Sequence, residues 1–244
     1  MFKIGKVSYL NTLPLFFAWD CSDVEIVEGT PAQLVELLRK GELQAGIVSS
    51  VEYLMHPESY RIVHNISISS KEKACSVMLF CKEPIDKVKS LYLTPASLTS
   101  KMLTLYIIRE VYKKDPQIIT DKDKAQAVLL IGDEALEEKS SNKWKYIYDL
   151  GYEWYKLHKL PFVFALFTVR KDAPEELDRL IALQVKKSLE LFYKALEENR
   201  LRVGGYEPSF LKSYFTECLE YDLDEGKLAS LELFKEILMK EAYY

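Results

Sequence analysis

The chain opens on an apolar alternation, Phe2-Lys3-Ile4-Gly5-Lys6-Val7, that runs straight into a polar loop and a proline. The same order of strand, polar loop and helix start recurs to about residue 170. Period-two runs alternating with helical runs restrict a chain to layered α/β architectures built on largely parallel sheets. Lys3 to Val7 reads as the first strand and Val24 to Glu28 as the second, with Pro14 between them where a first helical turn begins. Thr30-Pro31-Ala32-Gln33 has the form of a capping box with Pro at the first helical position, and Gly41 is the stop of that helix. Ala45 to Ser50 follows as the third strand.

Two β-rich runs, Ile62 to Ser69 and Cys75 to Cys81, precede Pro84, where a lobe boundary is expected. The alternation then restarts. Leu91 to Thr94 is a strand, Leu98 to Lys113 a helix, Ala127 to Ile131 a buried strand and Glu134 to Glu138 a helix start. Tyr146 to Leu150 and Phe162 to Arg170 are further strands. Beyond Pro174, Leu177, Ile181, Val185, Leu189, Phe192 and Leu196 mark one buried helical face. Leu228, Leu231, Phe234 and Leu238 mark a last amphipathic helix, expected to pack on the first lobe. There is no repeat, low-complexity tract or Gly/Ser linker. The expectation is a two-lobed α/β fold of the periplasmic-binding-protein-like kind (type II). Residues 1–84 and 162–244 form lobe I and residues 85–161 an inserted lobe II. The substrate cleft lies between the lobes, at the carboxyl ends of both sheets.

Several classes of function are disfavoured. The formal charge is −4 and no basic stripe is present, so a nucleic-acid partner is not expected. No apolar run approaches the ~20 residues of a membrane span. The strand at the N-terminus leaves no leader pattern, and the expected location is the cytoplasm, as a monomer or homodimer. Cys21, Cys75, Cys81 and Cys218 form no C-x-x-C pair and are expected as reduced core or surface fillers. His56, His64 and His158 are too dispersed for a metal site. The chain has no G-x-S-x-G elbow, P-loop or dinucleotide fingerprint.

The loops at the strand ends are the informative parts. Ser8-Tyr9-Leu10-Asn11-Thr12, Ser49-Ser50 and Ser97-Leu98-Thr99-Ser100 each offer hydroxyls and backbone N–H groups where a helix begins. Such ends attract a carboxylate by ~0.3–1 kcal/mol each, or ~2 when partly buried. Each is equally readable as an ordinary N-cap. Gly132-Asp133 holds a similar position, Gly permitting close approach and Asp either capping the next helix or facing the cleft. Asp149 and Glu153 read as surface or capping carboxylates.

At Ser8-Tyr9-Leu10-Asn11-Thr12-Leu13-Pro14 the sequence resembles the chorismate dehydratases of the futalosine route to menaquinone. The resemblance continues through Gly41 to Tyr53, Ser76 to Phe80, Ser97 to Ser100, Leu130 to Leu136, Tyr148 to Gly151 and Leu160 to Ala165. It departs at Gln44, where an acidic residue is expected, and at Leu166-Phe167, where the family tends to carry Trp. The C-terminal helices carry no matching motif.

The resemblance implies loss of water from chorismate to give 3-[(1-carboxyvinyl)oxy]benzoate, with no cofactor and no metal. It implies Asn11 and Ser76 as the catalytic pair, positioning the enolpyruvyl side chain and the departing hydroxyl. The motif segments hold no His, and Glu52 and Asp133 sit at helix starts, so the substrate's own enolpyruvyl carboxylate is the expected proton acceptor. Ser97, Thr99 and Ser100 would receive the ring carboxylate, faced by Ser49 and Ser50. Ser8, Gly132 and Asp133 complete the expected binding set, and Tyr9 and Phe164 either flank the ring or belong to the core. The competing readings are a non-catalytic carboxylate receptor and the sister enzyme 1,4-dihydroxy-6-naphthoate synthase, which opens on a different motif.

Overall fold

In the computed structural model, which describes residues 1–240, the strand-helix alternation builds two sheets. The chain runs β1 (Phe2–Val7), β2 (Val24–Gly29), α1 (Pro31–Lys40), β3 (Ala45–Ser49), α2 (Ser50–Met55) and β4 (Tyr60–Ser70). It continues with β5 (Val77–Cys81), β6 (Ser90–Leu93), α3 (Leu98–Tyr106), β7 (Gln117–Ile118), β8 (Ala127–Ile131), α4 (Gly132–Ser140), β9 (Tyr146–Asp149) and α5 (Leu150–His158). The last part holds β10 (Val163–Arg170), α6 (Glu176–Glu197), α7 (Pro208–Ser213), β11 (Leu219–Glu220) and α8 (Glu225–Lys240).

Local chemistry explains the boundaries. Thr30 accepts the Gln33 N–H while the Gln33 side chain returns to the Thr30 N–H, closing the expected capping box. Gly41 ends α1 in the left-handed region at φ 78°, its N–H bonded to the carbonyls of Leu37 and Leu38. The connection after β1 is a short 3₁₀ turn, Leu10–Phe16, with Pro14 inside it rather than at its start. The helix expected to reach Lys113 is α over Leu98–Tyr106 and continues as a π turn over Ile107–Val111.

The first sheet has the order β11-β4-β10-β3-β1-β2 and the second β7-β6-β8-β5-β9. In the first, β1 lies parallel to β2 and β3, while β10 returns antiparallel between β3 and β4. In the second, β6 and β8 are parallel and β5 runs antiparallel to β8 and β9. The architecture is therefore the expected two-lobed α/β fold. Because β5 pairs in the second sheet, the crossing between lobes falls between Ser70 and Val77, upstream of Pro84. A buried apolar strand suits either sheet, and only pairing shows which it joins.

Each lobe has its own core. The first lobe's core takes the α6 stripe expected from periodicity, with Leu177, Ile181, Val185, Phe192 and Leu196 buried and Leu189 packed against them. Such side chains contribute ~1.5–3 kcal/mol each on full burial. In the second sheet Val77, Leu79 and Cys81 face one layer and Met78 and Phe80 the other, as strand alternation requires. The last helix departs from expectation, for α8 straddles the lobes. Leu231 meets Val163 and Leu166, while Phe234 and Leu238 join Trp154 and Phe162. Leu228 is exposed, and Lys227 is buried in its stead, ringed by Glu220 at 2.9 Å, Asp222 at 2.8 Å and Asp224 at 3.1 Å. Among the described residues no helix is long and apolar enough to cross a membrane.

The cysteines need a correction. Cys75 and Cys218 form a disulfide with Cα atoms 5.9 Å apart, while Cys21 and Cys81 are free. The two lie 143 positions apart, so spacing carries no trace of a pairing that folding creates.

Candidate active site

The carboxyl ends of β1 and β3 meet β8, the start of β5 and the first turn of α3 at a narrow cleft open to solvent. Lobe I contributes Val7, Tyr9, Asn11, Thr12, Pro31, Ile47, Val48, Ser49 and Ile68. Across the cleft stand Val77, Ser97, Ser100, Ile131 and Gly132, with Phe164 and Ala165 on the connecting strand β10. Of the candidates, Tyr9, Asn11, Ser49, Ser97, Ser100, Gly132 and Phe164 are thus brought together. None of the lining residues is Lys, Arg, His, Asp or Glu. Polar groups on this wall are hydroxyls, amides and helix starts, set among aliphatic side chains.

Asn11 stands out. Its Oδ1 is buried without a hydrogen-bond partner, while its main-chain carbonyl accepts the Tyr221 hydroxyl at 2.8 Å. A buried, unpaired amide oxygen is unfavourable by roughly 1–3 kcal/mol and calls for an explanation. Of the three such side-chain atoms among the described residues, Trp154 Nε1 and Ser230 Oγ being the others, Asn11 Oδ1 alone belongs to a residue of the cleft wall. Thr12 Oγ1 lies 2.6 Å from the Val7 carbonyl and 2.9 Å from the Tyr9 carbonyl, which fixes the turn that presents Asn11. Ser49 and Ser97 serve as N-caps, accepting the N–H of Glu52 at 3.4 Å and of Ser100 at 3.2 Å. Gly132 sits at φ 60°, and a Cβ there would come within 3.0 Å of the Tyr9 ring. The Tyr9 hydroxyl is raised above its ordinary pKa, first by burial and then by Asp133 and Glu134, so it stays a proton-bearing donor at neutral pH. Phe164 meets Phe162 edge to face with centroids 4.7 Å apart.

The remaining candidates lie off the wall. Ser8 is exposed. Ser50 is fully buried and donates to the Val163 carbonyl at 2.7 Å. Thr99 Oγ1, also buried, accepts the Val51 N–H at 2.9 Å across the lobes. Asp133 Oδ1 accepts the Leu10 N–H at 3.0 Å, again across the lobes. Ser76 is 1% exposed, with its hydroxyl 2.7 Å from that of Tyr214 and its carbonyl accepting the Gly132 N–H at 2.8 Å. It stands directly behind the wall, between Cys75 and the lining residue Val77. Asp149 is a cap, as expected, and is half-buried. Its carboxylate takes the N–H groups of Tyr152, Ala74 and Cys75.

The aliphatic lining from Val7, Ile47, Val48, Ile68, Val77, Ile131 and Ala165 was not expected, because the candidates were polar, aromatic or glycine residues of the loops and motifs. Their common signal was position, since most are at or near a strand end. Thr12 was legible as a hydroxyl in the first motif.

The fold defines the class. A Candida albicans gene product, described as having the generic periplasmic binding protein structural fold, superposes with a TM-score of 0.69 at 12% identity, over all of this chain and 92% of that one. Sequence comparison narrows the class. The profile of a family described as menaquinone biosynthesis matches residues 2–240, and the chain belongs to that family. A chorismate dehydratase of Campylobacter jejuni is 30% identical, aligned over 94% of each chain. One from Thermus thermophilus is 26% identical over 97% of this chain and 95% of that enzyme.

Proposed function

We propose that this protein is a chorismate dehydratase, a carbon-oxygen lyase that eliminates water from chorismate to give 3-[(1-carboxyvinyl)oxy]benzoate. Asn11 carries the reading: a family motif residue, on the cleft wall, with a buried side-chain oxygen that lacks a partner. The two similar enzymes bear that name over nearly their whole length.

The ring C–O bond to the hydroxyl breaks and the ring proton leaves, so that a cyclohexadiene becomes a benzene. Aromaticity drives the reaction, and orientation, a path for the proton and help for the leaving hydroxyl fall to the enzyme. The lining offers no carboxylate or imidazole, which favours the substrate's enolpyruvyl carboxylate as the proton acceptor. Asn11 orients that side chain and the departing hydroxyl. Ser76 fixes the wall at Val77 and Gly132 from behind. Ser97 and Ser100 receive the ring carboxylate, opposite Ser49, and Tyr9 and Phe164 border the ring. Ser50, Thr99 and Asp133 act on the lobes rather than on the ligand, since their side chains are engaged inside the protein. A cytoplasmic location belongs to the same proposal.

The test is direct. Purified protein is incubated with chorismate and the aromatic product is followed by its absorbance, with identity checked by mass. Asn11→Ala and Ser76→Ala are expected to lower kcat far more than they raise KM. Intact chorismate after incubation with wild-type protein would refute the activity and favour a receptor, and near-normal turnover by both variants would remove the residue roles.

A further inference from the structure

Two buried tyrosines, both from one stretch of the C-terminal region, bond to residues that frame the cleft without lining it themselves. Tyr214 is 1% exposed, with its hydroxyl 2.7 Å from that of Ser76. Tyr221 is 4% exposed and donates to the Asn11 carbonyl at 2.8 Å. A phenol hydroxyl in an apolar interior is unfavourable unless it finds a partner. Where this core needs only a ring it uses Phe, as at Phe215, whose centroid lies 5.1 Å from that of Tyr214. The partners therefore account for the two hydroxyls, and those partners are the main chain of Asn11 on the wall and Ser76 behind it.

The stretch is anchored between the two tyrosines. Cys218 is bonded to Cys75, the residue before Ser76. Leu219 and Glu220, as β11, pair with Ser70 and Ser69 of β4. One segment thus bears on the turn that presents Asn11 and on the hydroxyl of Ser76, and it is held covalently beside the second. We propose that Tyr214 and Tyr221 are positioning residues for the elimination, Tyr214 setting Ser76 and Tyr221 the turn of Asn11. This inference rests on the roles given above to Asn11 and Ser76.

Tyr214→Phe and Tyr221→Phe keep the rings and remove one hydroxyl each. Each variant should lose about tenfold or more in kcat with KM within about threefold of wild type, since small misplacements of reacting groups act on turnover. Near-ultraviolet circular dichroism should stay native, which separates lost positioning from lost folding. Adding Tyr214→Phe to Ser76→Ala should cost no further turnover, because the partner is already gone. The positioning role is overturned if either Phe variant keeps kcat within about twofold of wild type, or if the Tyr214→Phe and Ser76→Ala losses multiply. Slow Asn11→Ala and Ser76→Ala enzymes beside normal Phe variants would remove this inference alone. Wild-type protein inert toward chorismate would remove the proposed function and this inference together.

Discussion

The carboxylate of Asp133, on the first turn of α4 in lobe II, accepts the main-chain N–H of Leu10 in lobe I at 3.0 Å. Thr99, at the start of α3, does the same for Val51 at the start of α2, at 2.9 Å. Each side chain lies in the first turn of its own helix, one residue inside the start, and satisfies an N-terminal donor of the opposite lobe. Two of the donors that helix starts would offer to an anion are thus taken by the protein, and they tie the lobes together at the rim of the cleft.

The Asp133 bond has a pH signature. Burial raises the Asp133 pKa above its ordinary value; the Leu10 N–H pulls it the other way and Glu137 adds a smaller upward push. A carboxyl whose folded pKa exceeds its unfolded value holds its proton more tightly when folded. Its contribution to stability is greatest below the unfolded pKa and declines as pH rises through the folded pKa, then stays level. Asp133→Asn keeps an acceptor for Leu10 without a buried charge. Wild-type unfolding free energy should therefore fall, relative to Asp133→Asn, as pH rises out of the ordinary carboxylate range. Asp133→Ala, which strands the Leu10 N–H, should lose about 1–3 kcal/mol at neutral pH. Denaturant titrations of the three proteins from acid to neutral pH give the comparison, and a constant difference between wild type and the Asn variant would contradict it.

Thr99 separates shape from hydrogen bonding. Thr99→Val keeps the volume but leaves the Val51 N–H facing a methyl group at a fully buried position. The expected loss is about 1–3 kcal/mol of stability, since an unpaired buried donor bears its full desolvation penalty. Thr99→Ser retains the hydroxyl and should lose less. Thermal unfolding of the pair is sufficient, and equal midpoints for Val and Ser would show that the bond carries no weight.

Gly132 answers to two constraints at once. Its φ of 60° disfavours any L side chain, and a Cβ would press within 3.0–3.2 Å of the Tyr9 ring. Gly132→Ala is expected to lose about 1–2 kcal/mol from the left-handed backbone alone. It should also displace Tyr9 from the cleft wall. A raised KM for chorismate accompanying the lower melting temperature is the expected pair of readings. A stable variant with unchanged KM would mean that the turn relaxes freely.

Local signals explain what was legible. The Thr30 box, the Gly41 stop and the α6 stripe are written in residues close together in the chain, and the structure reproduces them. Tyr9, Asn11, Ser49, Ser97, Ser100, Gly132 and Phe164 were legible because strand ends in this fold point at one cleft. The sheet that β5 joins was not legible, for an apolar strand fits either. Nor were the partners of Asp133 and Thr99, since a polar side chain in the first turn of a helix looks the same whether it bonds within its own lobe or across to the other. Leu228 was expected on the buried face of the last helix, but it is exposed and Lys227 is buried beside it, held by Glu220, Asp222 and Asp224, a convergence that no local pattern in the chain announces.

The Cys75–Cys218 bond is the least expected feature, and a count of thiols tests it. Protein unfolded without reductant, with free thiols blocked against exchange, should show two reactive thiols, from Cys21 and Cys81; after full reduction it should show all four. The bond closes a loop spanning 143 positions, so much of its effect lies in restricting the unfolded chain. Reduction, or Cys75→Ser with Cys218→Ser, should lower stability by about 2–5 kcal/mol. The native contacts around Ser76 persist in part without the bond, because Asp149 independently holds the N–H groups of Ala74 and Cys75 at 2.9 and 2.7 Å. Asp149→Ala in the reduced protein removes that second tie and should cause a larger loss of stability than either change predicts alone. Four reactive thiols in unreduced protein would show that the bond does not form in solution.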